Sequence, residues 1–217
     1  MSVKNLFGAL LNGATVYPFN VREEGLQRLV AWMIQERITV YHSVPSLFRQ
    51  FAGLLTSESK FPALRLIVLG GEPVTKPDVE QYVKHFSPDC ILVNMLGSTE
   101  IGTYRQYFID KTTPITHNSI VPVGYAVEDK EIHLLDDAGS EASPGDIGEI
   151  AVKSRYLAVG HWRDPDATKA AFTIRTEERS RSAHRSPASL IPTLATPVEA
   201  AALFDTTSSA PVRTNLA

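Results

Sequence analysis

One cysteine in 217 residues, Cys90, excludes an internal disulfide. Beside an apolar run and with no matched histidine, it reads as a small core residue rather than a nucleophile. No apolar stretch approaches the roughly 20 residues that cross a bilayer, and no charged-then-apolar leader opens the chain, so the cytoplasm is the default expectation. Excess charge is also missing: 21 Lys and Arg against 24 Asp and Glu leave a net charge of −3, which gives no case for nucleic acid or an anionic membrane as partner. Glycine is absent from the C-terminal end. All 13 lie at or before Gly160, while from Arg175 onward Ser, Thr, Ala and Pro supply 24 of 43 residues. Such a stretch buries too little apolar surface to offset the entropy of ordering, so residues 173–217 are predicted to be a disordered tail, Leu190-Ile191 and 198–204 excepted.

The 172 residues before that tail are of a different kind. The chain is 43% hydrophobic and long enough to bury a sizeable core. From Leu6 to about Phe86 strands alternate with amphipathic helices. Phe7 to Val16 reads as a helix, a glycine turn and a strand. Leu26, Leu29, Val30, Met33 and Ile34 recur at helical spacing, Ile38 to Tyr41 is β-branched, and Pro45 opens a helix carrying Leu47, Phe51, Leu54 and Leu55 on one face. Leu64 to Leu69 is a further strand, Asp78 to Phe86 a helix, and Ile91-Leu92-Val93 a buried parallel strand. The fold class expected is α/β, with a largely parallel sheet over about 1–105. From about 106 to 172 the pattern becomes strand-rich, with alternation at 131–135 and 149–153 and a turn at Asp136-Asp137-Ala138-Gly139, so a smaller β unit is expected there.

The most informative stretch is Asn94-Met95-Leu96-Gly97-Ser98-Thr99-Glu100-Ile101-Gly102. Gly97 lets the backbone bend close to a ligand, Ser98 and Thr99 offer hydroxyls to phosphate oxygens, and Glu100 is a hard oxygen ligand suited to Mg²⁺. The same residues also fit a strand end followed by an N-capped helix. The stretch resembles the N-x-Y-G-x-T-E core motif of adenylate-forming enzymes, the adenylation domains of nonribosomal peptide synthetases and their acyl- and aryl-CoA ligase relatives. Three more blocks agree in order and spacing: Leu66 to Pro73, Val121 to Tyr125, and Gly148 to Val152 with Gly160-His161-Trp162 and Thr168 to Phe172. The resemblance covers about residues 5–172 and is closest to the amino-acid-activating branch. It makes residues 1–172 part of the large N-terminal domain, the strand-rich region being its distorted barrel.

That resemblance implies a reaction in which ATP activates an amino or other carboxylic acid to an acyl-adenylate, with release of pyrophosphate. It assigns Glu100 to Mg²⁺ and Thr99 to a phosphate oxygen, and places Gly70, Gly71, Glu72, Asn94, Leu96, Gly97 and Ser98 around the nucleotide. Leu96 stands where the family usually has a Tyr stacked on adenine. Ile67, Leu69, Met95, Thr103 and Tyr104 would line a mostly apolar acid pocket, and a carrier-protein thiol would be the acceptor in a full-length parent. The family's Gly-rich phosphate loop with its Lys, its Tyr-x-T-G-D block with the ribose-binding Asp, and its lid Lys have no match in this sequence. The tail after Phe172 accordingly reads as a frameshift, an altered splice or a misjoined gene, against a genuine disordered tail. Inactivity of the chain alone is expected, the alternative function being a nucleotide-binding remnant or a module that docks on an intact synthetase. His42-Ser43 and Asp136-Asp137 are read as strand and turn residues, and the basic cluster 175–185 as solvated tail, none of them as a site.

Overall fold

The computed structural model describes residues 2–115, 120–173 and 183–192. Helix α1 (Ser2–Leu10) is followed by a turn and an extended segment, not by the strand expected at 14–16. Helices α2 (Val21–Glu24) and α3 (Leu26–Gln35) precede strand β1 (Val40–Ser43). Then come α4 (Pro45–Ala52), β2 (Leu66–Gly70), α5 (Lys76–His85), β3 (Ile91–Ser98) and β4 (Gly102–Ile109). Strands β5 (Tyr125–Ala126), β6 (Glu131–Leu135) and β7 (Ile147–Lys153), helix α6 (Pro165–Ala171), and strands β8 (Phe172–Thr173) and β9 (Ala183–Pro192) complete the described elements. None of the described helices is long and apolar enough to cross a membrane.

Two sheets organise these elements. The first has the order β1-β2-β3-β4-β5, the first three strands parallel and the last two antiparallel. It therefore runs past the division expected near residue 105, because β4 folds straight back on β3 and carries the chain onward within the same sheet. The second sheet has the order β6-β7-β9-β8, all antiparallel. Strand β9 lies inside the stretch predicted to be disordered. Its pairing with β7 gives partners to backbone groups along that strand's other edge, and it includes the Leu190-Ile191 pair named as an exception. The rest of the predicted tail, 174–182 and 193–217, lies outside the described residues.

Sequence spacing decides which faces are buried. Period-two alternation puts Tyr41, Ile67, Leu92 and Ile109 on one side of the first sheet, in register across four strands. Phe48 and Phe51 of α4 and Val79 and Tyr82 of α5 join them in one apolar core. A chain of rings, Tyr41–Phe51–Phe86–Phe61, has successive centroids 5.3 to 6.4 Å apart. A second, smaller core gathers Leu96, Ile101, Tyr104, Val123, Ile150 and Val152 between the two sheets.

Buried charge ties α4 to α5. Asp78, fully buried, accepts from the Thr75 hydroxyl at 2.8 Å and its backbone N–H at 2.7 Å, which forms the cap of α5. Arg49 of α4 closes on both oxygens of the same carboxylate, Nε to Oδ1 at 2.7 Å and Nη2 to Oδ2 at 2.9 Å. Asp78→Ala removes the cap acceptor and the ion-pair partner of Arg49, whose guanidinium is partly exposed and keeps the Pro73 carbonyl, so it should lower unfolding free energy by about 2 kcal/mol in urea titrations. A loss below about 1 kcal/mol would show the network to be incidental.

Candidate functional site

The motif stretch is a β-hairpin, not a strand leading into a helix. Strand β3 continues through Ser98, the chain turns at Thr99-Glu100-Ile101, and Ser98 pairs with Gly102 at the start of β4. A bulge between Leu96 and Gly97 lets two residues of β4 face one of β3. Glycine is required here because a Cβ on Gly97 would lie 2.4 Å from the Gly102 carbonyl oxygen. Thr99 is exposed and Glu100 half-buried at the tip, and the Glu100 carbonyl accepts from Ala158 N–H at 2.8 Å, tying the turn to the loop after β7. Among the described residues, the Ser98 hydroxyl is buried without a hydrogen-bond partner, a donor left over in a turn read as phosphate-binding.

Other residues expected at the nucleotide are tied into the fold. The Asn94 amide, 2% exposed, donates to the carbonyls of Val121 at 3.1 Å and Pro122 at 2.9 Å. Its nitrogen thus holds the 121–122 segment against β3 rather than standing open to an adenine edge. Glu72 accepts from Ser46 N–H at 2.8 Å and its hydroxyl at 2.9 Å, so it satisfies the first turn of α4. Gly70 lies so near β3 that a Cβ would meet the Met95 carbonyl oxygen at 2.8 Å. Leu96 is buried in the second core beside Tyr104 and Val123, its apolar surface engaged by protein.

The expected acid pocket is divided by the register. Leu69 pairs with Asn94 and Gly70 with Met95, so Ile67 and Leu69 face the helices, fully buried, while Met95 faces the opposite side. Thr103 stays with Met95, its hydroxyl donating to the Met95 sulfur at 2.8 Å. Tyr104, displaced by the bulge, turns into the second core and away from Met95. Ile67, Leu69 and Tyr104 are therefore core residues, and Met95, Thr103, Gly70 and Val68 share the opposite face of the sheet, Gly70 buried and the other three half-buried. Register against β3 was the signal that separates them, and it is not contained in the β2 residues themselves.

Arg105 was given no role by its sequence context. It pairs across from Leu96, donates to the Gly124 carbonyl, and keeps a buried Nε with no partner among the described residues. Burial pulls its guanidinium below the usual arginine range, against the opposing effect of Tyr104. His42 and Ser43 go separate ways, His42 Nδ1 to Asn5 Oδ1 at 2.9 Å and the Ser43 hydroxyl to the Val44 carbonyl, which fits their reading as strand residues.

Comparison with known proteins adds lineage to this geometry. The family model described as AMP-binding enzyme matches residues 1–162. Surfactin synthase subunit 2 of Bacillus subtilis (strain 168) is 30% identical over 171 residues, which cover 77% of this chain and 4% of that protein. The D-alanine–D-alanyl carrier protein ligase of Bacillus cytotoxicus is 28% identical over 83% of this chain and 36% of its own length. The solved nonribosomal peptide synthetase FmoA3 superposes with a TM-score of 0.78 at 26% identity, over 95% of this chain and 22% of that one. The chain thus spans little more than a third, or less, of the length of these relatives.

Asn94→Leu keeps the volume but leaves two buried carbonyls unpaired, which should cost about 2 kcal/mol in chemical unfolding. Hydrogen exchange should rise at Val121, whose N–H donates to the Val74 carbonyl at 2.8 Å within the released segment. Unchanged protection there would mean that the amide does not hold the segment.

Proposed function

Because this chain belongs to the AMP-binding enzyme family, we propose that residues 1–172 form the magnesium–phosphate side and part of the acid pocket of a domain that adenylates a carboxylic acid with ATP. The observation that carries this reading is the β3–β4 hairpin. It presents the exposed Thr99 and the half-buried Glu100 at its tip, beside the unpartnered Ser98 hydroxyl. Hydroxyls and main-chain N–H groups at such a tip suit phosphate oxygens.

Magnesium fits the donor set. Among the described residues no group of three or more His, Cys, Asp or Glu could hold a metal by itself. Mg²⁺ usually takes one or two carboxylates and completes its shell with water and substrate phosphates. Glu100 supplies that single carboxylate. When bound, the ion neutralises charge on the phosphate oxygens. Thr99 hydrogen-bonds a phosphate oxygen, and Asn94 acts one step back by fixing the 121–122 segment. In the reaction a carboxylate oxygen attacks the α-phosphorus, the bond to the bridging oxygen breaks, and pyrophosphate leaves.

The acid pocket is proposed to lie on the face of the first sheet opposite α4 and α5, against Met95, Thr103, Val68 and the main chain of Gly70. That lining suits an apolar acid. An amino acid is favoured by the relatives, since one is by name a D-alanine ligase and another a nonribosomal peptide synthetase. The same D-alanine ligase name makes a carrier protein the acceptor to test. A polypeptide of only these 217 residues contains no Gly-rich loop with a lysine to grip a triphosphate. It is therefore proposed to bind nucleotide weakly and to release no pyrophosphate unaided.

Equilibrium dialysis of radiolabelled ATP, with and without Mg²⁺, tests the assignment. Thr99→Ala should weaken binding about tenfold, as for a hydrogen bond to a charged group. Glu100→Ala should abolish the enhancement by Mg²⁺ while leaving metal-free binding in place. An enhancement that survives Glu100→Ala sinks the assignment, and steady pyrophosphate release by the unaided polypeptide sinks the claim of inactivity.

A further inference from the structure

Main-chain carbonyls of the β3–β4 hairpin are taken by residues that flank the second sheet. Ala158 N–H donates to the Glu100 carbonyl at 2.8 Å, the Lys130 amine to the Ile101 carbonyl at 3.2 Å, and Val127 N–H to the Tyr104 carbonyl at 3.0 Å. Pairing between the hairpin strands ends at Ser98 and Gly102, so the turn between them is held from outside. Both peptide groups that follow the Glu100 α-carbon are fixed in this way.

The segments that hold the turn are tied to each other. Lys130, half-buried just ahead of β6, also donates to the buried Ser154 hydroxyl at 3.2 Å, which accepts from Tyr156 N–H at 3.2 Å. The Tyr156 ring centre lies 5.5 Å from Lys130 Nζ and 4.9 Å from the Arg155 guanidinium. Arg155 in turn pairs with Asp129 at 2.7 Å, and Asp129 has φ 62°, a left-handed conformation uncommon outside glycine. Two oxygen acceptors and a ring face suit the protons of an ammonium. The amides of Val127 and Ala158 come with any residue but proline at those positions. The bond to Ile101, by contrast, depends on the side chain of Lys130.

We propose that Lys130 is a positioning residue for Glu100, acting through the Ile101 carbonyl to hold the carboxylate where it meets magnesium. With this strut in place the turn is ordered before the ion arrives, and less conformational freedom is lost on binding. Without it the Ile101 peptide is released, and ordering the turn opposes capture of the ion. Removing the amine thus weakens the help that Mg²⁺ gives to nucleotide binding. Metal-free binding, in which the Glu100 carboxylate has no part, stays as it was. The proposal rests on the reading of Glu100 as the magnesium ligand, while exchange at the Ala158 amide measures the strut without reference to that reading.

Lys130→Met keeps the aliphatic stem and removes the donor. Equilibrium dialysis of radiolabelled ATP should show the enhancement by Mg²⁺ reduced about fivefold, as for the loss of one hydrogen bond, with metal-free binding unchanged. Lys130→Arg, which keeps the charge and the donors, should retain most of the enhancement. Lys153→Met removes a nearby charge of the same sign on β7, where Lys153 pairs with Glu131 at 3.0 Å, and should leave the enhancement intact. Hydrogen exchange at Ala158 should rise in Lys130→Met in the absence of nucleotide. An equal loss in Lys153→Met, a matching loss of metal-free binding, or unchanged exchange at Ala158 overturns the proposal. If Glu100→Ala abolishes the enhancement and Lys130→Met does not alter it, this inference alone fails. An enhancement that survives Glu100→Ala brings down the reading of the site, and the role of Lys130 with it.

Discussion

The close passage of backbone at Gly97 and Gly102 is the constraint on which the rest of the site depends. Strand β3 serves two cores: its first half, through Leu92, packs under the helices, and its second half, from Leu96, packs between the sheets. It changes allegiance along its length, since alternation keeps Leu92 and Leu96 on one face, and beyond Leu96 a bulge shifts the register and closes because no Cβ intervenes between the two glycines. From that pinch follow the exposed turn at Thr99, the inward turn of Tyr104 and the tether from Glu100 to Ala158. A larger residue at 97 would push the hairpin arms apart and disturb all three together.

Around the pinch, polar groups act as struts between elements that apolar packing leaves loosely fixed. Arg49 and Asp78 join α4 to α5, Glu72 joins the end of β2 to the start of α4, and Asn94 joins β3 to the 121–122 segment. All of these converge on the C-terminal ends of parallel strands, where open α/β sheets expose the groups that meet ligands. Lys130 makes a comparable link at the second core, reaching both the Ile101 carbonyl and the Ser154 hydroxyl at 3.2 Å. The opposite end of the first sheet, toward the starts of its parallel strands, is less covered, with Val40 and Phe108 substantially exposed.

Much of this was legible in the sequence. Helices α3, α4 and α5 and strands β2 and β3 lie within a few residues of their expected positions because their apolar periodicity is strong and Pro45 and Pro77 mark helix starts. The capped turn into α6 is likewise written in Asp164 and Pro165, with the Asp164 carboxylate accepting from Ala167 N–H at 2.9 Å. What was not legible depends on pairing between distant strands. Ile67 and Leu69 were placed at the pocket by the resemblance, and their apolar character does not say which face they take; the match of Leu69 with Asn94 puts them on the helix side. Residues 14–16 stay out of strand geometry although Thr15 and Val16 favour it, since β-propensity is realised only beside a partner strand. Strand β9 escaped for the converse reason, a weak sequence finding a ready edge on β7.

The anchoring of Glu72 on α4 has a consequence for how such sequences are read. Gly70, Glu72, Asn94 and Gly97 each have a structural duty: a strand approach, a helix start, a clamped segment, a closed hairpin. A descendant that had lost every trace of turnover would still need these four residues to fold. Their survival therefore testifies to ancestry. Testimony about chemistry comes instead from Thr99, whose side chain is exposed at the hairpin tip.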